Sequence, residues 1–120
     1  MAVQSYRDLI VWQKAMELAK EVYVMTQSFP QDERFGLTSQ VRRAVVSIAS
    51  NIAEGQGRLS SGEFRQFLGH ARGSLYEVET QVQLAADLHF ITEDTRSAIS
   101  SKSTEVARLL NGLLKSVANH

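Results

Sequence analysis

Residues 60–90, SSGEFRQFLGHARGSLYEVETQVQLAADLHF, decide the fold. Within them Phe64, Leu68, Ala71, Leu75, Val78, Val82 and Ala85 recur at steps that alternate between four and three. This rhythm holds one helix face against its neighbours in a bundle. Ser60, followed three residues later by Glu63, predicts a capping box that starts the helix. Leu84 and Leu88 stand off the seam and widen its apolar surface.

Upstream, Leu37, Val41, Ala44 or Val45, Ile48 and Ile52 form a second helical stripe opened by the polar Gln31-Asp32-Glu33. It is expected to stop at Glu54-Gly55, where glycine can take the left-handed conformation of a helix end. Gly55-Gln56-Gly57-Arg58-Leu59 is then the clearest loop. Further upstream, two apolar rows run side by side along one helix. Leu9, Trp12, Met16, Ala19 and Tyr23 make the first, and Val11, Ala15, Leu18, Val22 and Met25 the second. So wide a surface needs more than one neighbour, and Phe29-Pro30 ends it because the residue before proline is pushed out of helical angles. Downstream, Thr92 with Glu93 and Asp94 caps a last helix whose stripe is Ile99, Val106, Leu110, Leu113 and Val117. The expectation is all-α: an antiparallel up-down-up-down four-helix bundle, one domain over residues 1–120, with helices about 8–28, 32–54, 61–89 and 93–118.

Hydrophobic residues at 43% and charged residues at 22% place the chain among folded domains rather than disordered ones. The absence of cysteine excludes disulfides and thiolate metal sites and suits a reducing compartment. Met1 to Ile10 lacks the apolar run of a secretory signal, and no stretch is long enough to span a bilayer, so a cytoplasmic protein without membrane contact is expected. The net charge is zero, but residues 34–72 carry Arg34, Arg42, Arg43, Arg58, Arg65 and Arg72 against only Glu54 and Glu63. Residues 73–105 are correspondingly acidic, so a local basic surface can exist on a neutral protein.

Few catalytic constellations survive inspection. Di-iron bundles use Glu-x-x-His pairs, yet Phe67, Ala86 and Val117 stand three before His70, His89 and His120. No serine lies in a Gly-x-Ser-x-Gly turn, and Glu77 and Glu79, two apart, point to different helix faces. The loop Gly55-Gln56-Gly57-Arg58 lacks a phosphate-binding signature and follows a helix, so a plain interhelical turn is the better account. No metal, cofactor or catalytic residue is expected, and the chain reads as a non-enzymatic binding protein.

Two polar groups remain. Arg43, Ser47, Asn51 (or Ser50) and Glu54 lie three or four apart on the second helix, away from its main stripe; Glu77, Arg72, Glu79 and Gln83 are candidate partners on the third. Such residues can fix register through charge-assisted hydrogen bonds within or between subunits. Gly69 and Gly73, facing the small residues of the second helix, predict a close approach of helices two and three. Arg42, Arg58, Arg65 and Arg72 form a candidate basic patch for RNA or DNA, which an oligomer would repeat around its axis.

The stretches Leu9-Ile10-Val11-Trp12-Gln13-Lys14-Ala15, Gly36-Leu37-Thr38-Ser39-Gln40-Val41-Arg42-Arg43-Ala44, Asn51-Ile52-Ala53-Glu54-Gly55 and Gly73-Ser74-Leu75-Tyr76-Glu77 occur in an order that resembles a bacterial family. That family is named for proteins encoded in intervening sequences of 23S rRNA genes. The resemblance covers about residues 5–116. It implies a left-handed four-helix bundle that assembles as a homopentamer without known enzymatic activity. A similar bundle serves as the accessory protein of diversity-generating retroelements, a basic pentamer that binds nucleic acid and a reverse transcriptase. This chain departs from that relative in being neutral.

Overall fold

A computed structural model describes residues 5–118. Four helices follow in order: α1 (Ile10–Thr26), α2 (Leu37–Gln56), α3 (Ser61–Asp87) and α4 (Glu93–Ala118), with single 3-10 turns at Tyr6–Asp8 and Gln31–Glu33. No strand occurs among the described residues. At 1.5 Å per residue α3 is about 40 Å long, close to the 45 Å long axis of the molecule.

Each helix packs on two others. Contact is most extensive between α2 and α3, followed by α3–α4, α1–α2 and α1–α4, while the diagonal pairs stay apart. This closed square is a four-helix bundle. One cluster of buried side chains fills it, including Val11, Ala15, Leu18, Val22 and Met25 of α1 and the whole stripe expected of α2. The α3 seam is buried from Leu68 to Ala85, with Phe64 half-buried. On α4 Leu110 is buried as expected, but the next buried leucine is Leu114, with Leu113 only half-buried against the core. Ser103, 1% exposed, takes a place in that stripe where an apolar residue would be expected.

The helix ends differ from the sequence expectation for local reasons. α2 starts at Leu37 rather than near residue 32, because the Glu33 carboxylate reaches past Gly36 and accepts the Leu37 N–H at 3.0 Å. Gln31–Glu33 forms a separate turn. α2 also runs through Gly55 to Gln56, and no described glycine has positive φ. Gly55 is helical and buried because a Cβ there would lie 2.8 Å from the Phe67 Cβ. It is therefore the point of close approach between α2 and α3; a Cβ at Gly69 or Gly73 would meet nothing within 4 Å. α3 ends at Asp87, followed by His89 in the left-handed region (φ 64°). There the Phe90 N–H reaches the Ala85 carbonyl at 2.8 Å, a Schellman closure made without glycine.

Candidate functional site

The outer groove between α2 and α3 gathers the most polar side chains. Its floor is a serine pair: the Ser74 hydroxyl donates to the Ser47 hydroxyl at 2.9 Å. Asn51 locks that floor by donating to the Ser47 hydroxyl at 2.9 Å and its carbonyl at 2.8 Å. Two adjoining hollows of about 430 and 370 Å³ share Ser47, Ser74 and Glu77. Gly69, His70 and Gly73 complete one; Gln40, Arg43 and Gln81 complete the other. Gly69 and Gly73 thus widen a groove instead of bringing two backbones together.

Of the polar residues singled out in the sequence, Arg43, Ser47, Asn51 and Glu77 meet here. Only the serine and asparagine groups bond to one another. Arg43 and Glu77 line the groove without an ion-pair partner among the described residues, and the Gln81 Oε1 is buried without a hydrogen bond. Glu54 instead pairs with Arg58 at 3.3 Å. Arg72, Glu79 and Gln83 turn toward α4, where Arg72 donates to Asn111 at 3.0 Å. The partner that sequence spacing missed is Ser74, whose place on the α2 side of α3 becomes evident only once the two helices are in register.

The four arginines do not converge on one face. Arg42 sits in the α1–α2 groove, where it donates to Thr26 at 2.8 Å and covers the Tyr23 ring at 4.7 Å. Arg58 lies over Phe67 at 4.6 Å from its centroid. Arg72 belongs to the α3–α4 side, opposite Arg42 in the square. Arg65 is exposed and has no ion-pair partner among the described residues.

Apolar surface is distributed differently. The first row of α1 is only partly used by the core: Leu9, Trp12 and Ala19 are half-buried against it, while Met16 is 37% exposed and Tyr23 43%. Beside it on α2, Val46 is exposed. A second apolar surface runs along α3 through Tyr76, Leu84 and Leu88, each near half-exposed. No group of three metal-ligating side chains occurs among the described residues, which exclude His120. No helix among them is long and apolar enough to cross a membrane.

Comparison with known proteins adds to this geometry. A profile described as 23S rRNA-intervening sequence protein matches residues 7–112. A crystal structure of a protein of unknown function from the S23 ribosomal protein family of Bacteroides thetaiotaomicron VPI-5482 superposes with a TM-score of 0.80. That protein is 27% identical, and the match covers 88% of this chain and 99% of the other. No curated protein matches.

Proposed function

The chain belongs to the 23S rRNA-intervening sequence protein family, and from that premise we propose that it is a non-enzymatic helical scaffold, a homopentamer that binds another macromolecule. The observation that carries this reading is the row Trp12, Met16, Ala19 and Tyr23, in which Met16 and Tyr23 are exposed and Trp12 and Ala19 only half-buried although it is as regular as the buried row beside it. Tryptophan, tyrosine and methionine are the residue types enriched where protein surfaces meet. The separate apolar surface of Tyr76, Leu84 and Leu88 supports a ring, since a cyclic assembly joins two different faces of each subunit. The open α2–α3 groove, with Arg43 and Glu77 unpaired, is the surface offered for completion by a neighbouring subunit or a partner.

Light scattering tests the assembly. The expected mass is five times the 13.4 kDa of one chain. Met16→Glu combined with Tyr23→Glu should reduce it to one chain with the helical circular-dichroism signal retained, because both side chains lie outside the core. A wild-type monomer would reject the scaffold.

Arg65, exposed and without an ion-pair partner among the described residues, supports a second reading in which the assembly binds RNA or DNA. Removing Arg58, Arg65 and Arg72 together to alanine should then weaken low-salt binding strongly and flatten its salt dependence. Binding unchanged by the triple substitution rejects that reading.

A further inference from the structure

We propose that the cleft between α3 and α4 is a binding site for a primary ammonium group, carried by a small alkylamine or by a lysine side chain. Two ladders face each other across it: Glu79 and Gln83, one turn apart on α3, and Arg96, then Ser100, then the neighbours Ser103 and Thr104 on successive turns of α4. The cleft encloses about 190 Å³ above Val82 and Ile99. Liquid water occupies about 30 Å³ per molecule, so this space holds an ammonium head and a short alkyl stem.

The chemistry of the walls selects the ligand. Ser103 interrupts the apolar stripe of α4, is 1% exposed, and its hydroxyl has no hydrogen-bond partner among the described residues. Buried hydroxyls are almost always bonded, so this one marks a place where a polar atom is missing. The Arg96 charge is already spent: the Glu93 carboxylate accepts from it at 2.6, 2.8 and 3.0 Å. The Glu79 carboxylate has no such partner among the described residues, and partial burial pushes its pKa above the usual carboxylate value. With Arg96 held by Glu93, which lies outside the lining, Glu79 is the one carboxylate on the cleft walls, which disfavours an anion.

A divalent metal is a poor match to one carboxylate surrounded by neutral oxygens. A primary ammonium carries one positive charge and three N–H donors, which Glu79, Ser103 and a further neutral oxygen from Ser100 or Gln83 can accept. The Gln83 amide nitrogen already donates to Asp87 at 2.9 Å, leaving its carbonyl oxygen available. Val82 and Ile99 supply an apolar floor for the methylene stem.

The test is a titration of the full chain with n-butylammonium chloride, followed by amide chemical shifts around Glu79 and Ser103. Saturable shifts are expected at millimolar concentrations. Glu79→Gln, which keeps the shape and removes the charge, should weaken binding at least about tenfold. Ser103→Ala should weaken it less while leaving the thermal midpoint equal or higher, since the hydroxyl makes no bond within the described chain. Tetramethylammonium, with equal charge and no N–H, should not compete. An Nα-acetyl-lysine amide probe identifies the source: binding comparable to butylammonium points to a lysine side chain, and exclusion points to a small free amine. Absence of saturable shifts, which would mean that water alone fills the cleft, overturns the proposal. So does affinity unchanged in Glu79→Gln, or equal binding of tetramethylammonium.

Discussion

The seam between α2 and α3 and the seam between α1 and α4 join helices of the same bundle by different means. At α2–α3 the backbones come so near that Gly55 has no room for a methyl group, and the polar contacts there are neutral and short. At α1–α4 the polar contacts are partly exposed ion pairs: Lys102 meets Glu17 at 3.2 Å and Glu21 at 3.8 Å, and Lys14 meets Glu105 at 3.8 Å. An open hollow of about 470 Å³ lies beside them, lined by Val24, Met25, Ala98 and Ile99 among others. Close packing gains dispersion and excludes water, whereas solvated ion pairs contribute little because water competes for each charge. The difference teaches that stability is concentrated in the α2–α3 half and that α1–α4 is the more easily opened side.

The largest test of this asymmetry compares truncations on the two sides. Ile52, on α2, is wholly buried, and Ile52→Ala should cost about 2–5 kcal/mol, the range for emptying a core site. Val24, lining the α1–α4 hollow, is 65% exposed, and Val24→Ala should change stability by no more than about 0.5 kcal/mol. Urea midpoints at constant slope report both. Equal losses would dissolve the distinction.

A sharper test places the same methyl group at two glycines. At Gly73 the methyl meets nothing within 4 Å, so Gly73→Ala should stabilise the chain by about 1 kcal/mol through helix propensity alone. At Gly55 it would lie 2.8 Å from the Phe67 Cβ, which cannot move without shifting α3, and 3.0 Å from the Phe64 ring. The packing penalty of about 1–3 kcal/mol should outweigh the propensity gain, giving a net loss. If Gly73→Ala stabilises the fold and also lowers the assembled mass, the open groove it lines is used in assembly.

These glycines also mark the limit of what the sequence discloses. The rows on α1, the stripe on α2 and the seam on α3 were legible because helical spacing is a local property, and so were the caps at Ser60 and Thr92, whose hydroxyls accept the Glu63 and Thr95 N–H groups at 3.1 Å, although the Glu63 carboxylate accepts from the Ser60 hydroxyl and so forms only half of the expected capping box. Which glycine permits close approach depends on the register between two helices, and no spacing within either helix encodes it. The same holds for Ser74 as the partner of Ser47, and for Arg72 turning to Asn111 on a helix about 40 residues away. Ser103 was visible as a polar residue between Ile99 and Val106, but its burial without a partner is a fact of the α3–α4 cleft.

The smallest expected effect belongs to the α1–α4 ion pairs, and its pH dependence identifies it. The hydrogen bond from Lys102 holds the Glu17 carboxyl below the usual glutamate value of 4.5. Its contribution is thus present above pH 4.5 and is lost as pH falls through the depressed folded-state value. Lys102 is raised above 10.5 by the same hydrogen bond and by Glu21, so its contribution is present below pH 10.5 and is lost as pH rises through the raised value. Lys102→Met should flatten both limbs slightly and change the neutral plateau little, because the Lys102 and Glu17 side chains are 37% and 45% exposed. Added salt should imitate the substitution, since a Debye length of about 10 Å at 0.1 M screens exposed charges. The hydrogen bonds at Ser47 carry no net charge and should be insensitive to both treatments. A salt response reduced from that of the wild type as much by Ser47→Ala as by Lys102→Met would show that the two seams are held by the same kind of force.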